Sequence, residues 1–390
     1  VMGITGLVLA IQTSVAGAFA SSGPAIALKF APFNAGARAK LAEQIGGSEQ
    51  GQKVANELAS DAIRRDPLQP VALRILAQGL DSQTPASQER AAALMSEAQR
   101  LSRRDTLTQL WFIQRNGARG KGAAMMQHFD IALRASISAR PNLFPFLVTA
   151  STDPTVRVVL IRTLSARPGW EKAFATYAVR EGRDLGLAAE LAPRLLDARQ
   201  PDDRVLYQDL LNRLVQAGRY DVAWNVYQAT GAMPKDSRAP LRGGNFEGPD
   251  AFPPFDWWFS EEPDLFASRE HASGGGLLLR VAASDDQSGE AARQLVRLAP
   301  GIYQLSARMG DLPNDPAEWP TLRIRCAPDD QLRLVSIRPS GAGTAARQVN
   351  GRFEVPDKCH FQWLTIDLAG DGPPQEIAAW VDDIAIVRTH

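Results

Sequence analysis

Cysteine and histidine are scarce in this chain, with two of the first and four of the second among 390 residues. The histidines, His128, His271, His360 and His390, show no metal-ligand spacing and no carboxylate set to orient them. His128 shares a helical stripe with Met125, Phe129 and Ala132, which reads as a partly buried core position. There is no Gly-x-Ser-x-Gly nucleophile turn, and the run from Gly117 to Gly122 lacks the Lys-Ser/Thr ending of a phosphate-binding loop. Net charge is missing as well: 43 basic residues cancel 43 acidic ones. With no basic run either, nucleic-acid binding is excluded. Paired acids do occur at Glu261-Glu262 and Asp382-Asp383. Adjacent residues on a strand point to opposite faces, so neither pair flanks one glycosidic bond. These absences make a non-enzymatic protein the expectation.

One long apolar run is present. Val1 to Ala20 is nearly all apolar or small, with Gln12, Thr13 and Ser14 as its one polar cluster, and about 20 such residues cross a bilayer. Two readings stand, a secretory signal ending in Ala18-Phe19-Ala20 and a retained transmembrane helix over 1–22, and the anchor is the expectation. Gly6, Ala10, Ser14 and Ala18, continued by Ser22, fall four apart and form a small-residue face for close approach of another membrane helix. The bland reading of the same stripe is the Ala- and Gly-rich composition.

Between 23 and 235 the pattern is helical. Asn34 caps Ala35 to Ile45, Ser48 caps Glu49 to Arg65, and further helices are expected over Val71–Leu80, Ser87–Arg103, Leu107–Arg115 and Gly122–Ala135. The proline breaks at Pro32, Pro67 and Pro141 recur at one interval and about twice that interval, the spacing of antiparallel helix pairs in a solenoid. From Leu210 to Ala229, Gly218, Tyr220, Ala223 and Tyr227 fall at small and aromatic positions, and this stretch resembles a degenerate tetratricopeptide repeat. The resemblance implies a concave groove that docks a protein partner, although the same residues are first of all core.

Lys235 to Gly244 reads as a linker, and 241–390 reads as an antiparallel β-sandwich. The clearest strand is Ile302 to Met309, where Tyr303, Leu305, Ala307 and Met309 alternate with Gln304, Ser306 and Arg308. Seven more strands are expected: 276–282, 292–298, 321–326, 332–338, 351–355, 362–368 and 378–387. In 362–368 the core set is Leu364, Ile366 and Leu368, which puts Trp363 on the opposite face. Arg323 and Arg325 line the outer face of their strand, facing solvent, a neighbouring subunit or an acidic polymer. Cys326 and Cys359 flank strands and are expected to pair in an oxidising compartment, stabilising the fold by roughly 3–4 kcal/mol. Two separate buried thiols are the other reading.

The order Gly243-Gly244-Asn245-Phe246-Glu247, then Leu298 to Ser306, then Phe353 to Pro356, then Trp380 to Ile386 resembles carbohydrate-binding-module-like jelly rolls. Together with the helical repeats it is similar to envelope proteins associated with bacterial exopolysaccharide assembly. The resemblance implies a structural calcium, with Glu247 as opening carboxylate, Asp382 or Asp383 as closing carboxylate and backbone carbonyls near Asn245. It also implies a glycan platform, for which Trp363, Trp319, Trp257 and Trp258 are the candidate rings. The expected fold class is therefore an N-terminal transmembrane helix, an α-helical repeat solenoid and a C-terminal jelly roll. The expected location is the bacterial inner membrane with the soluble domains in the periplasm. Two functions compete: a protein whose repeats dock a partner while its sandwich contacts polysaccharide, and a structural subunit of a membrane complex with no sugar binding. An exposed ring beside polar groups separates the first from the second.

Overall fold

The computed structural model describes residues 22–47, 49–80, 84–232, 240–248, 251–284, 287–327, 329, 331–369 and 378–389. The chain divides into two compact units, one up to Glu171 and one from Lys172 to His390. The last four helices thus share a unit with the β-sandwich, where a single helical domain over 23–235 is the expectation from sequence.

In the first unit the helices pack as short antiparallel neighbours. Asn34 accepts a hydrogen bond from the Ala37 amide at 2.9 Å and caps Ala35–Ile45. Ala35, Ala39 and Ala42 then meet Ala55, Ala59 and Ala62 of Glu49–Arg65 and Ala72 and Ile75 of Pro70–Leu80. Alanine at these positions lets the backbones approach closely, because no side chain stands between them. Arg74 is buried and is held by Asp105 at 2.7 Å and by Glu43, so its charge is compensated inside the unit. His128 is partly buried, as its spacing implies: its Nδ1–H donates to Gln109 Oε1 at 2.8 Å, its ring stacks on Phe112, and burial holds its pKa below the ordinary histidine value.

One part of the expected fold class is corrected. Among the described residues no helix is long and apolar enough to cross a membrane. The longest, Glu49–Arg65 and Pro85–Leu101, have 17 residues each and carry charged side chains on one face. Residues 1–21, which hold Gly6, Ala10, Ser14 and Ala18, lie outside the described residues.

The second unit opens with the helices Glu171–Arg180, Leu185–Leu195, Pro201–Gln216 and Tyr220–Ala229. Two antiparallel sheets follow. The five-stranded sheet runs in the order β1 (Trp258–Phe259), β5 (Ser288–Val296), β10 (Gln362–Ala369), β7 (Thr321–Cys326), β8 (Arg333–Ile337). The six-stranded sheet runs β2 (Glu261–Glu262), β3 (Leu265–His271), β4 (Leu277–Ala283), β11 (Ala379–Arg388), β6 (Gly301–Gly310), β9 (Arg347–Val355). Their inner faces close one apolar core, in which Leu322, Ile324, Leu364 and Ile366 meet Leu305, Ala307, Met309 and Val381.

The ends of the sandwich chain meet. The Ile384 amide donates to the Gly244 carbonyl at 2.8 Å, and a Cβ on Gly244 would lie 1.9 Å from the Ile384 carbonyl oxygen. Glycine is required there by close backbone approach. Cys326 and Cys359 are disulfide-bonded, with Cα atoms 5.6 Å apart. The helical part of the unit is tied to the sandwich by aromatic residues: Tyr220 stacks on Phe361 and donates to the Ala327 carbonyl at 2.9 Å, and Tyr227 donates to Asp256 at 2.8 Å.

Candidate functional site

The outer face of the five-stranded sheet is built by period-2 alternation. On β10, Leu364, Ile366 and Leu368 enter the core, which leaves Trp363, Thr365 and Asp367 outside; on β7, Leu322 and Ile324 enter, which leaves Arg323 and Arg325 outside. The register then aligns Trp258, Arg293, Thr365, Arg323 and Ser336 in one row across β1, β5, β10, β7 and β8. Trp363 and Arg325 stand in the next row. A register shift between Ile366 and Asp367 brings Glu290 opposite Asp367, so the two carboxylates also face the same side.

At the centre of this face a guanidinium lies between two indoles. Arg293 Cζ is 4.8 Å from the Trp258 ring centroid and 5.3 Å from that of Trp363. Both contacts are within cation–π range. Trp258 is 36% exposed and Trp363 is half-buried. Beyond them the face carries ion pairs: Arg323 with Asp367 at 2.7 Å, Arg293 with Glu290 at 3.3 Å, and Arg325 with Glu290. Thr365 donates to Asp367 at 3.1 Å and is fully buried between Arg293 and Arg323. Burial raises the Asp367 pKa above the ordinary carboxylate value; Arg323, Thr365 and Arg325 oppose the rise, and Glu290 adds to it. A shallow groove of about 470 Å³ runs along this face past Glu290, Arg323, Arg325 and Asp367 to Trp319 and Arg338.

The four candidate tryptophans have different places. Trp258 and Trp363 are brought together around Arg293. Trp319 is 8% exposed and forms the far wall of the groove, its Nε1–H donating to the Pro313 carbonyl at 2.7 Å and its ring covered by Arg338. Trp257 is in the core, with its Nε1–H on the Gly243 carbonyl at 3.0 Å, and has no ring face for a ligand. Arg293 and Glu290 were not singled out from sequence. The alternation of β5 carried the signal for Arg293, whereas the register shift that turns Glu290 outward leaves no mark in the sequence.

The expected calcium ligands occupy the junction of opening segment and closing strand. Asp382 has a raised pKa, from burial first and then from the neighbouring Asp383 and Glu247 carboxylates, with Arg308 and the Asp383 amide opposing. Glu247 accepts the Leu277 amide at 2.6 Å, and Asp383 is paired with Arg308 at 3.0 Å. Among the described residues no three His, Cys, Asp or Glu side chains gather as a metal-binding group.

A larger cleft of about 730 Å³ lies where Tyr220–Ala229 meets the sandwich, lined by Trp224, Tyr227, Phe255, Arg297, Tyr303 and Arg388 among others. Tyr227 is satisfied by Asp256, Tyr303 by the Ala299 carbonyl and Arg388 by the Pro300 carbonyl, while Nε1 of Trp224 is buried without a hydrogen-bond partner. The cleft is a packing junction, whereas the sheet face carries rings beside a set of charged groups.

No protein-family model matches the chain, and no curated protein matches it. Among solved structures it is similar to the one described as "CBM4 structure and function" (14% identity, 38% of this chain and 99% of the other, TM-score 0.28). It is also similar to a Family 16 Carbohydrate Binding Module-2 (17%, 39% and 100%, TM-score 0.27) and to the CBM22-1 xylan-binding domain of Paenibacillus barcinonensis Xyn10C (12%, 34% and 87%, TM-score 0.26). These neighbours are carbohydrate-binding modules; at such TM-scores they carry no argument of their own, and the reading below stands on the residues.

Proposed function

We propose that this chain is a non-catalytic bacterial envelope protein whose β-sandwich contacts polysaccharide through the outer face of the five-stranded sheet, while its helices dock a protein partner during surface polysaccharide assembly or export. The observation that carries the reading is the pair Trp258 and Trp363 set around Arg293. Flat rings cover the C–H face of a sugar with little loss of side-chain entropy, and the adjoining planar guanidiniums and carboxylates meet its hydroxyls. The Cys326–Cys359 disulfide supports an oxidising compartment such as the periplasm. The structural-subunit alternative requires Trp363 and its neighbours to be buried against another chain or domain; the half-buried Trp363 ring beside Arg293 supports the glycan reading.

A cleaving enzyme is the second reading, favoured by one observation: Asp367 has a raised pKa and stands across from Glu290. Against it, Arg323 pairs with Asp367, and Arg293 and Arg325 pair with Glu290. Both carboxylates are thus engaged by arginines, whereas glycoside cleavage requires two carboxyls free to flank one bond.

Affinity electrophoresis of the full chain through gels cast with a panel of neutral and acidic polysaccharides tests the proposal. Retardation by at least one polymer, abolished in Trp258→Ala/Trp363→Ala with the thermal midpoint kept, is the expected result. Unchanged mobility in every gel would sink it. Release of reducing ends from a retarding polymer would replace it with the enzyme reading.

A further inference from the structure

The ligand class of this face follows from a count of its donors and acceptors, an inference that rests on the glycan reading. Four arginines, Arg293, Arg323, Arg325 and Arg338, stand on or beside the groove with two carboxylates, Glu290 and Asp367. Each guanidinium presents five N–H donors and each carboxylate about four acceptor sites, so roughly twenty donors face roughly eight acceptors. The side-chain charge there sums to two positive, in a chain whose total is zero. The excess is visible in single atoms: Nε of Arg293 and Nε of Arg323 are buried without a hydrogen-bond partner. A neutral sugar offers hydroxyls that donate as readily as they accept. A carboxylate only accepts, and it takes two parallel N–H bonds from one guanidinium. The ring arrangement points the same way, because the inner faces of Trp258 and Trp363 are already covered by Arg293. A sugar resting on either ring therefore lies next to a positive charge.

We infer that the outer face of the five-stranded sheet selects an acidic, uronate-bearing polysaccharide over neutral glycans, with Arg293 and Arg323 reading the sugar carboxylate and Trp258 and Trp363 reading the ring. The carboxylate replaces acceptors that the face lacks, and the rings separate a polyuronate from a merely anionic chain. The two rings stand in neighbouring rows, and the groove continues from Arg323 and Arg325 past Asp367 to Trp319, which suits an extended polymer rather than a single sugar.

The test uses matched polymers and the full chain. Polygalacturonate, alginate and hyaluronate are each compared with their carboxyl-reduced forms, identical in backbone but neutral, by isothermal titration and affinity electrophoresis. Poly-glutamate serves as an anion without a sugar ring. At least one native polyuronate is expected to bind tenfold or more tightly than its reduced form, with affinity falling as salt rises. Arg293→Gln/Arg323→Gln is expected to lose that ratio while keeping its thermal midpoint, and Trp363→Ala is expected to weaken both forms. Equal binding of native and reduced polymers overturns the inference and leaves the glycan reading intact. Poly-glutamate binding as tightly as the polyuronates overturns it as well, since charge alone would then be read. Absence of binding to every polymer, neutral glucan, xylan and mannan included, overturns the glycan reading and the inference with it.

Discussion

Tyr227 donates its hydroxyl proton to Asp256 at 2.8 Å, linking the last helix to the segment that opens the sandwich. Both residues are buried, and Asp256 also accepts the amides of Ala251 and Phe252 at 3.1 and 2.9 Å. Burial, followed by the Asp256 charge, pushes the tyrosine pKa far up, so the phenol remains a donor throughout the accessible range. The helices from 172 onward are in this way part of the sandwich's own unit. Tyr227→Phe is expected to destabilise that unit by about 1–3 kcal/mol, the cost of leaving a buried charged acceptor short of one partner. Urea unfolding followed by tryptophan fluorescence measures it, and an unchanged midpoint would remove Tyr227 from the account of the junction.

Gly244 makes a second prediction. Its Cα faces the Ile384 carbonyl so closely that any side chain must push the opening segment away from β11. Gly244→Ala is expected to lower stability by roughly 1–3 kcal/mol, as overpacking of a close contact does. Gly248→Ala, where nothing lies within 4 Å of the new Cβ, is the matched control and is expected to be neutral. A thermal scan of the two variants decides.

The disulfide closes a separation of 33 residues between β7 and the turn before β10. Replacing both cysteines with serine is expected to cost about 3–4 kcal/mol through the entropy restored to the unfolded chain. Reductant should lower the thermal midpoint of the native chain and leave that of the double variant unmoved.

Asp367 gives a prediction in pH. Its pKa in the folded protein is above the ordinary aspartate value, so the folded state holds this proton more tightly than the unfolded chain does. The stability it contributes is complete below the ordinary value and is lost as the pH rises through the folded one. Asp367→Asn removes this dependence. The stability of the native chain relative to the variant is therefore expected to fall between pH 4 and pH 7, read by urea midpoints at each pH. A difference that rises with pH would reverse the assigned cause.

Much of the sandwich is legible in the sequence because a half-buried strand writes its own period. Thr321–Cys326 carries Leu322 and Ile324 inward and Arg323 and Arg325 outward, and the predicted and observed limits coincide. Gln362–Ala369 does the same for Trp363. β3 escaped notice because only Leu265 and Ala267 are buried in a run that continues Ser-Arg-Glu-His, so its alternation fades halfway along. β1, two residues long, has no period to read. The tyrosines at 220 and 227 were legible as packing residues, but what they pack against was not. In place of a following helical repeat they meet Phe361 and Asp256, more than a hundred and about thirty residues further on. The site itself was half visible: alternation placed Trp363, Arg323 and Arg325 on one face, while the meeting of Trp258 with Arg293 depends on strand order, which local sequence does not carry.

The most direct measurement is a hydroxyl-radical footprint of the full chain with and without the polysaccharide that retards it, read by mass spectrometry at single tryptophans. Trp258 and Trp363 are expected to lose reactivity on binding, while Trp380, on β11 of the opposite sheet, keeps its own. Protection of Trp380, or of Trp224 in the cleft beside the last helix, with Trp258 and Trp363 unaffected, would contradict the assignment of glycan contact to the outer face of the five-stranded sheet.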